Sequence, residues 1–345
     1  MTRILQIASI SLLLAGCGVA HRSVSFEPPA DELLFPTTSI PAGDRVRLAA
    51  VGDAGADASR VAAGLRALHS TDPIDAIILL GDNVYPCGVR SDSDPAWSRV
   101  EPLRIGVPIF PVLGNHDYGN PVQLAGRTVV CGNPSPQSQL DKSALWPDWR
   151  FPARNYHLAL GELEVFLIDT TPIARGWNLS FRGSHPSEAI RYELSESLSE
   201  STAAWKIVVG HHVIFSSGPH GLSDNLERRN MRALLPILER GGADLYLCGH
   251  DHHLEIIGRS QQPQFAVSGA GSKLRKIGGR SAEEPPTLFP PVPARTFPGF
   301  LIIDVHSSRS GSTMTVEAFD RAGKAVPGSR FVNSGSLPIR GELPR

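Results

Sequence analysis

"ADLYLCGHDHH", residues 243–253, is the stretch whose reading decides the fold. Leu245 to Cys248 has the length and apolar character of a buried strand, and three histidines follow within four positions. Imidazoles and carboxylates brought to the end of such a strand cost several kcal/mol if nothing pairs with them, so the pattern asks for a partner. It also recurs. Other apolar runs give out at Asp53 in AVGDAG, Asp82 in LLGDNVY, Asn115 and His116 in LGNHDY, and His211 and His212 in VVGHH, each after a glycine. Glycine removes side-chain bulk where the backbone turns sharply and other groups come close.

Working outward, "RVRLAAVGD" (45–53) reads as a strand into a turn, and "ADASRVAAGLRALH" (56–69) places Val61, Leu65 and Leu68 on one helical face. "AIILLGD", "VPIFPVLGNHD", "ELEVFLIDT" and "AWKIVVGHH" are further strands, with helices predicted over 186–199 and 224–240. Strand–helix–strand alternation predicts an α/β sheet. "QFAVSGAG" adds a strand, "FLIIDVHS" and "TMTVEAFD" a hairpin, and the Gly/Pro-rich stretch 275–298 a long irregular loop. In open α/β sheets ligands bind at the carboxyl ends of strands, so the strand-end polar groups should converge in one crevice. Oxygen and nitrogen donors of this kind suit Zn, Fe or Mn. They are too many for one ion. Two ions about 3.5–4 Å apart, bridged by a carboxylate, would use them all. Singly the signals are modest: a lone GD is most often a turn or helix cap, and GHDHH could be a solvated loop; the ordered series carries the weight.

The chain has 345 residues and a formal net charge of −1, which gives no basic excess for nucleic-acid binding. Lys273, Arg275, Lys276 and Arg280 form a local cationic cluster, a feature usually found on solvated loops.

On these motifs the chain resembles the calcineurin-type metallophosphoesterases, and within them the purple (tartrate-resistant) acid phosphatases. Asp53, "GDNVY" (81–85), "GNHDY" (114–118), "VVGH" (208–211) and "GHDH" (249–252) stand in the order of that family's series. The resemblance runs from about residue 46 to 330. It implies a four-layer αββα sandwich with a dinuclear metal site at strand C-terminal ends, here as a domain over 45–335 with a tail at 336–345. It further implies Fe(III) on Asp53, Tyr85 and His252, and a divalent Fe, Zn or Mn on Asn115, His211 and His250, with Asp82 between the two. His116 and His220 are the implied candidates to bind phosphate or protonate a leaving alkoxide. The implied activity is acid-phosphatase hydrolysis of small phosphomonoesters by a metal-activated hydroxide. Competing readings are a phosphodiesterase or nucleotide pyrophosphatase on the same scaffold, and a phosphate- or metal-binding lipoprotein without turnover. Asp251 and His253 are expected to face elsewhere or to support the ligands from behind.

The first residues, MTRILQIASISLLLAGC, have the shape of a secretory signal over 1–16, too short to span a bilayer. "LAGC" resembles the lipobox of bacterial lipoproteins, which implies cleavage before Cys17, lipid on that cysteine, and attachment to the bacterial cell envelope at the outer membrane. A simple cleaved signal with an incidental cysteine is the alternative. Residues 17–44 would be an irregular tether. Export favours oxidised thiols: Cys87 and Cys131 could bridge, and Cys248 is expected to be a buried free thiol. Oligomeric state is not legible.

Overall fold

The strand that begins at Ala76 is apolar throughout, the one that begins at Arg45 is apolar from Leu48 onward, and both are buried along nearly all of their length, so both faces must be covered. The computed structural model, which describes residues 35–119, 122–124, 127–129, 131–279, 284–290, 296–308 and 311–333, shows how. The expected signal, Cys17, the tail 336–345 and Arg280 lie outside those residues. In chain order the elements begin β1 (Thr37–Ser39), β2 (Arg45–Val51), α1 (Ser59–Thr71), β3 (Ala76–Leu80) and β4 (Ile109–Val112). A small hairpin, β5 (Val122–Leu124) with β6 (Arg127–Val129), and α2 (Gln137–Asp141) lead to β7 (Tyr156–Leu160) and β8 (Leu163–Leu167). Then come α3 (Thr171–Arg175), α4 (Ser187–Glu200), β9 (Trp205–Val209), α5 (Pro219–Leu222), α6 (Leu226–Arg232), α7 (Leu235–Arg240) and β10 (Leu245–Cys248). The last strands are β11 (Leu254–Ile257), β12 (Gln264–Ser268), β13 (Thr287–Phe289), β14 (Gly299–Ser308), β15 (Gly311–Asp320) and β16 (Phe331–Asn333).

Two mixed sheets result. One has the order β16-β15-β14-β2-β3-β4, the other β1-β7-β8-β9-β10-β12-β11-β13. Strand periodicity assigns the layers. In β8, β9 and β10, Val165, Leu167, Ile207, Val209, Leu245 and Leu247 share one core with Leu48, Ile78 and Ile303 of the opposite sheet. The intervening Phe166, Val208, Tyr246 and Cys248 pack instead with Ile190 and Leu194 of α4 and Leu238 of α7. On the other side α1 buries Val61, Leu65 and Leu68, the predicted face. The layering is therefore helix, sheet, sheet, helix, as the resemblance implied.

Some expectations need correction. Thr37–Ser39, inside the stretch expected as tether, pairs in parallel with β7, and Phe35 before it is buried against the α3–α4 helix layer. Three polar residues carry no periodicity, but β7 offers them an unpaired edge. The single helix predicted over 224–240 is two, because Pro236 lacks an amide hydrogen and is accommodated only in the first turn of α7. Within the predicted irregular loop 275–298, Thr287–Phe289 pairs with β11. Cys87 and Cys131 form a disulfide, and Cys248 is a buried free thiol.

Candidate metal centre

Strands β2, β3 and β4 of one sheet and β9 and β10 of the other end at the same side of the molecule, and the turns that follow carry the predicted donors. Three of these donors hold a left-handed backbone, with φ of 57° at Asp53, 52° at Asp82 and 67° at His250. For residues other than glycine this conformation costs on the order of 1–3 kcal/mol and persists where the surroundings impose it. The glycines before the donors let the turns interlock. A Cβ on Gly114 would overlap Asp82 at its backbone nitrogen and Oδ1, and one on Gly249 would lie 2.6 Å from Asp53 Oδ2. Ser268 ties the sheets together beneath the site: its Oγ donates to Ala50 O at 2.7 Å and its carbonyl accepts from Gly52 N at 2.7 Å.

The donors fall into two groups. In the first, Tyr85 Oη donates to Asp53 Oδ1 at 2.7 Å, and His252 Nε2 lies 3.2 Å from Tyr85 Oη and 3.3 Å from Asp53 Oδ1. In the second, His211 Nε2 lies 3.2 Å from Asn115 Oδ1 and 3.1 Å from His250 Nδ1. Asp82 stands with both: ligand atoms of Asp53, Asp82 and His211 all lie within 4.8 Å of one another, and Asp82 Oδ1 is 3.4 Å from His211 Nε2. Every one of these side chains is buried.

The ring tautomers follow from the chemistry of the outer partners. Leu80 O can only accept, and it lies 2.7 Å from His211 Nδ1, so that nitrogen carries the hydrogen and Nε2 keeps its lone pair. A carboxylate, Glu227 Oε1, lies 2.9 Å from His250 Nε2, so His250 likewise keeps its lone pair on Nδ1. The two lone pairs face each other at 3.1 Å beside Asp82 and Asn115. Such an arrangement is repulsive without positive charge between the rings, and a cation satisfies all four donors at once. The donor set therefore fits a metal ion, and the Asp53–Tyr85–His252 group offers the place for a second.

Electrostatics show the same demand for positive charge: burial alone would lower His211, but the carboxylates of Asp82 and Asp53 outweigh it and raise it. Burial alone would raise Asp82, but His211, His116 and His250 outweigh it and hold the carboxyl far below its usual range. Burial, with His220 close by, pushes His250 down to about 4, which leaves the neutral imidazole that ligates metals. Burial and the carboxylates of Asp53 and Asp82 push Tyr85 well above 10, so it becomes a phenolate only beside a cation.

The two candidate proton donors differ in freedom. His116 Nδ1 lies 2.6 Å from Pro86 O, which leaves Nε2 toward the site, 3.9 Å from Asp82 Oδ2. His220 is held at both nitrogens, by Glu227 Oε1 at 3.2 Å on Nδ1 and by Arg275 Nη1 at 2.7 Å on Nε2. Behind the donors, Asp251 accepts from Ser216 Oγ at 2.7 Å and from the amides of His220 and Gly221 at 3.2 Å, which orders the His220 loop. His253 pairs with Glu255 at 2.9 Å, away from the donor groups.

Residues 46–254 match the family described as calcineurin-like phosphoesterase, a stretch that covers more than half of the chain and every donor above. The chain belongs to the calcineurin-like phosphoesterase family. Among curated relatives, purple acid phosphatase 4 of Arabidopsis thaliana is 36% identical over 233 residues, 62% of this chain and 63% of that protein. The match thus spans just under two thirds of that relative's length. Tartrate-resistant acid phosphatase type 5 of Homo sapiens is 26% identical over 85% of this chain and 93% of its own. Among solved structures, GAP50, described as the anchor in the inner membrane complex of Plasmodium, superposes with a TM-score of 0.64 at 21% identity, covering 84% of this chain and 88% of that one. That likeness concerns the fold. The purple acid phosphatase relatives imply a dinuclear metal site, and the two donor groups stand where this calcineurin-like phosphoesterase would hold it.

Sequence reasoning passed over three residues. Asp117, inside the quoted GNHD motif, accepts from Gly114 N at 2.9 Å and Asn83 N at 3.1 Å and so fixes the Asp82 and Asn115 turns to each other; burial and nearby Asp82 push it up to about 7. Its place in the motif was the available signal. Lys273, assigned only to a cationic cluster, lies with Nζ 3.3 Å from the centroid of the Tyr85 ring. Glu227 had no sequence signal, since it reaches the histidines from a separate helix.

Proposed function

We propose that this calcineurin-like phosphoesterase hydrolyses phosphomonoesters as an acid phosphatase, with Fe(III) on Asp53, Tyr85 and His252, a divalent Fe, Zn or Mn on Asn115, His211 and His250, and Asp82 between them. The observation that carries the reading is the approach of His211 Nε2 to His250 Nδ1, 3.1 Å apart beside Asp82, while the other nitrogen of each ring is held by Leu80 O and Glu227 Oε1. Ions bound there supply Lewis-acid polarisation of phosphoryl oxygens and a water made acidic enough to attack at low pH. The chain's own residues do the rest. His116 is the proton donor, because its Nδ1 hydrogen is engaged by Pro86 O while Nε2 faces the site and can carry the proton a leaving alkoxide needs. His220 orients rather than donates, since Arg275 occupies its Nε2. Lys273, over the Tyr85 ring, adds positive charge at the mouth where a phosphate dianion would enter.

The substrate is a small phosphoester and not nucleic acid. We place the chain at the cell envelope, held by lipid on Cys17; the LAGC stretch supports this, and the Cys87–Cys131 disulfide fits an oxidising compartment. Replacing Cys17 with Ser should move the protein from the membrane to the soluble fraction.

The deciding experiment compares initial rates on p-nitrophenyl phosphate and bis(p-nitrophenyl) phosphate for the metal-loaded protein. Faster turnover of the monoester with an acidic optimum is expected. A higher rate on the bis-ester would make the protein a phosphodiesterase, and phosphate binding with no cleavage of either would make it a binding protein.

A further inference from the structure

We propose that Glu227 is a positioning residue that sets the tautomer of His250 and so keeps one of the two cation sites open; this rests on the metal reading above. Glu227 lies in the first turn of α6, whose N-cap Asn225 accepts from Arg228 N at 2.9 Å, so its backbone is fixed independently of the site. Its Oε1 reaches His250 Nε2 at 2.9 Å and His220 Nδ1 at 3.2 Å, and the two imidazole rings pack with centroids 3.8 Å apart. Arg275 donates to His220 Nε2, so His220 must present its hydrogen to Glu227. One carboxylate oxygen thus receives two ring N–H groups and clamps both rings.

The consequence lies at the other edge of His250. With Nε2–H bound to Glu227, Nδ1 is a lone pair 3.1 Å from the lone pair of His211 Nε2. Without the carboxylate, Nε2–H would be a buried donor with nothing to receive it. The imidazole escapes that penalty by moving its hydrogen to Nδ1, where His211 Nε2 accepts it across the same gap. A histidine–histidine hydrogen bond then fills the space a cation needs. Glu227 excludes that closed arrangement for the neutral pair of rings. His212 adds no competing donor hydrogen bond here: its Nδ1 is engaged with Thr170 Oγ1 at 2.9 Å, and its Nε2 has no hydrogen-bond partner among the described residues, although ligand atoms of His212, Glu227 and His250 lie within 4.8 Å of one another.

The test uses the full chain stripped of metal, as wild type, Glu227→Ala and Glu227→Gln, titrated with zinc against a competing chelator, together with nitrogen NMR of the metal-free histidines. Wild type should bind two equivalents and show His250 protonated on Nε2. Glu227→Ala should lose roughly tenfold to a hundredfold in affinity for one equivalent, keep the other, and carry the His250 hydrogen on Nδ1. Glu227→Gln, whose amide oxygen can still accept from Nε2–H, should recover most of the loss. The proposal is overturned if Glu227→Ala binds both equivalents like wild type, or if it weakens both equally, as general destabilisation would. It is also overturned if wild type binds a third ion at Glu227, His212 and His250 whose loss is the only effect of the substitution. Wild type that binds no pair of ions would instead overturn the metal reading itself.

Discussion

Tyr85 is a phenol enclosed by carboxylates, and this makes it the most sensitive single reporter of what the site holds. Iron-loaded wild type should absorb in the visible through a phenolate-to-Fe(III) transition, and Tyr85→Phe should lose that band; an iron-loaded Tyr85→Phe protein of unchanged colour would remove Tyr85 from the ligand set. His116 is tested by kinetics. His116→Ala should lower kcat by roughly 10²–10⁴ with metal content unchanged, whereas His220→Ala should act more weakly on kcat and more on KM. Equal losses in kcat for both would return His220 to candidacy. At this scale most donors were legible because they are marked locally by an apolar run, a glycine, then a residue that a buried strand end cannot leave unpaired, whereas Tyr85 stands further along its turn and was implied only by the family resemblance. Glu227 and Lys273 were not legible, because neither stands at a strand end and their distances to the site are set by how α6 and the turn after β12 fold back on it.

Among the elements, the strand-end turns are interlocked so tightly that space itself is a determinant. Gly114→Ala would drive a methyl group into Asp82, and should reduce both metal content and thermal stability, while Gly43→Ala, where nothing lies within 4 Å of an added Cβ, should leave metal content unchanged. At the start of β10, burial pushes Asp244 from 3.8 up to about 6 although its Oδ2 accepts from Lys206 N at 2.8 Å. The folded state therefore holds the proton more tightly than the unfolded chain. That contribution to stability is complete below about pH 4 and is lost as pH rises through about 6. Asp244→Asn keeps an acceptor for Lys206 N without the charge, so its unfolding free energy should exceed that of wild type above pH 6 by on the order of 3 kcal/mol, and its profile from pH 4 to 6 should be flatter. Denaturant titrations at about pH 4.5 and about pH 7.5, roughly bracketing that window, would show no difference between the two proteins if the carboxyl is well solvated. The long apolar strands were legible for the physical reason that two covered faces demand continuous hydrophobicity. β1 was missed because a three-residue polar strand owes its conformation to the neighbour's unpaired backbone rather than to its own composition.

For the molecule as a whole, two sheets meet so that their strand ends form one cleft, and the Cys87–Cys131 bond ties the connection that carries Tyr85 to the segment beyond the Asn115–His116 turn. Replacing both cysteines with Ser should lower the unfolding free energy by about 2–4 kcal/mol, read from the denaturant midpoint. No change would mean that packing of the connection already suffices. The layered fold was legible through the order of its motifs, but the closing of both sheets on the site depends on contacts such as Ser268 to Ala50 that no local pattern announces. The central claim is that two cations share Asp82. Metal analysis of purified wild type and Asp82→Asn tests it most directly: two ions per chain in wild type, and at most one weakly held ion in the variant, are predicted. A wild type with fewer than two ions, or a variant that keeps both, would contradict the account.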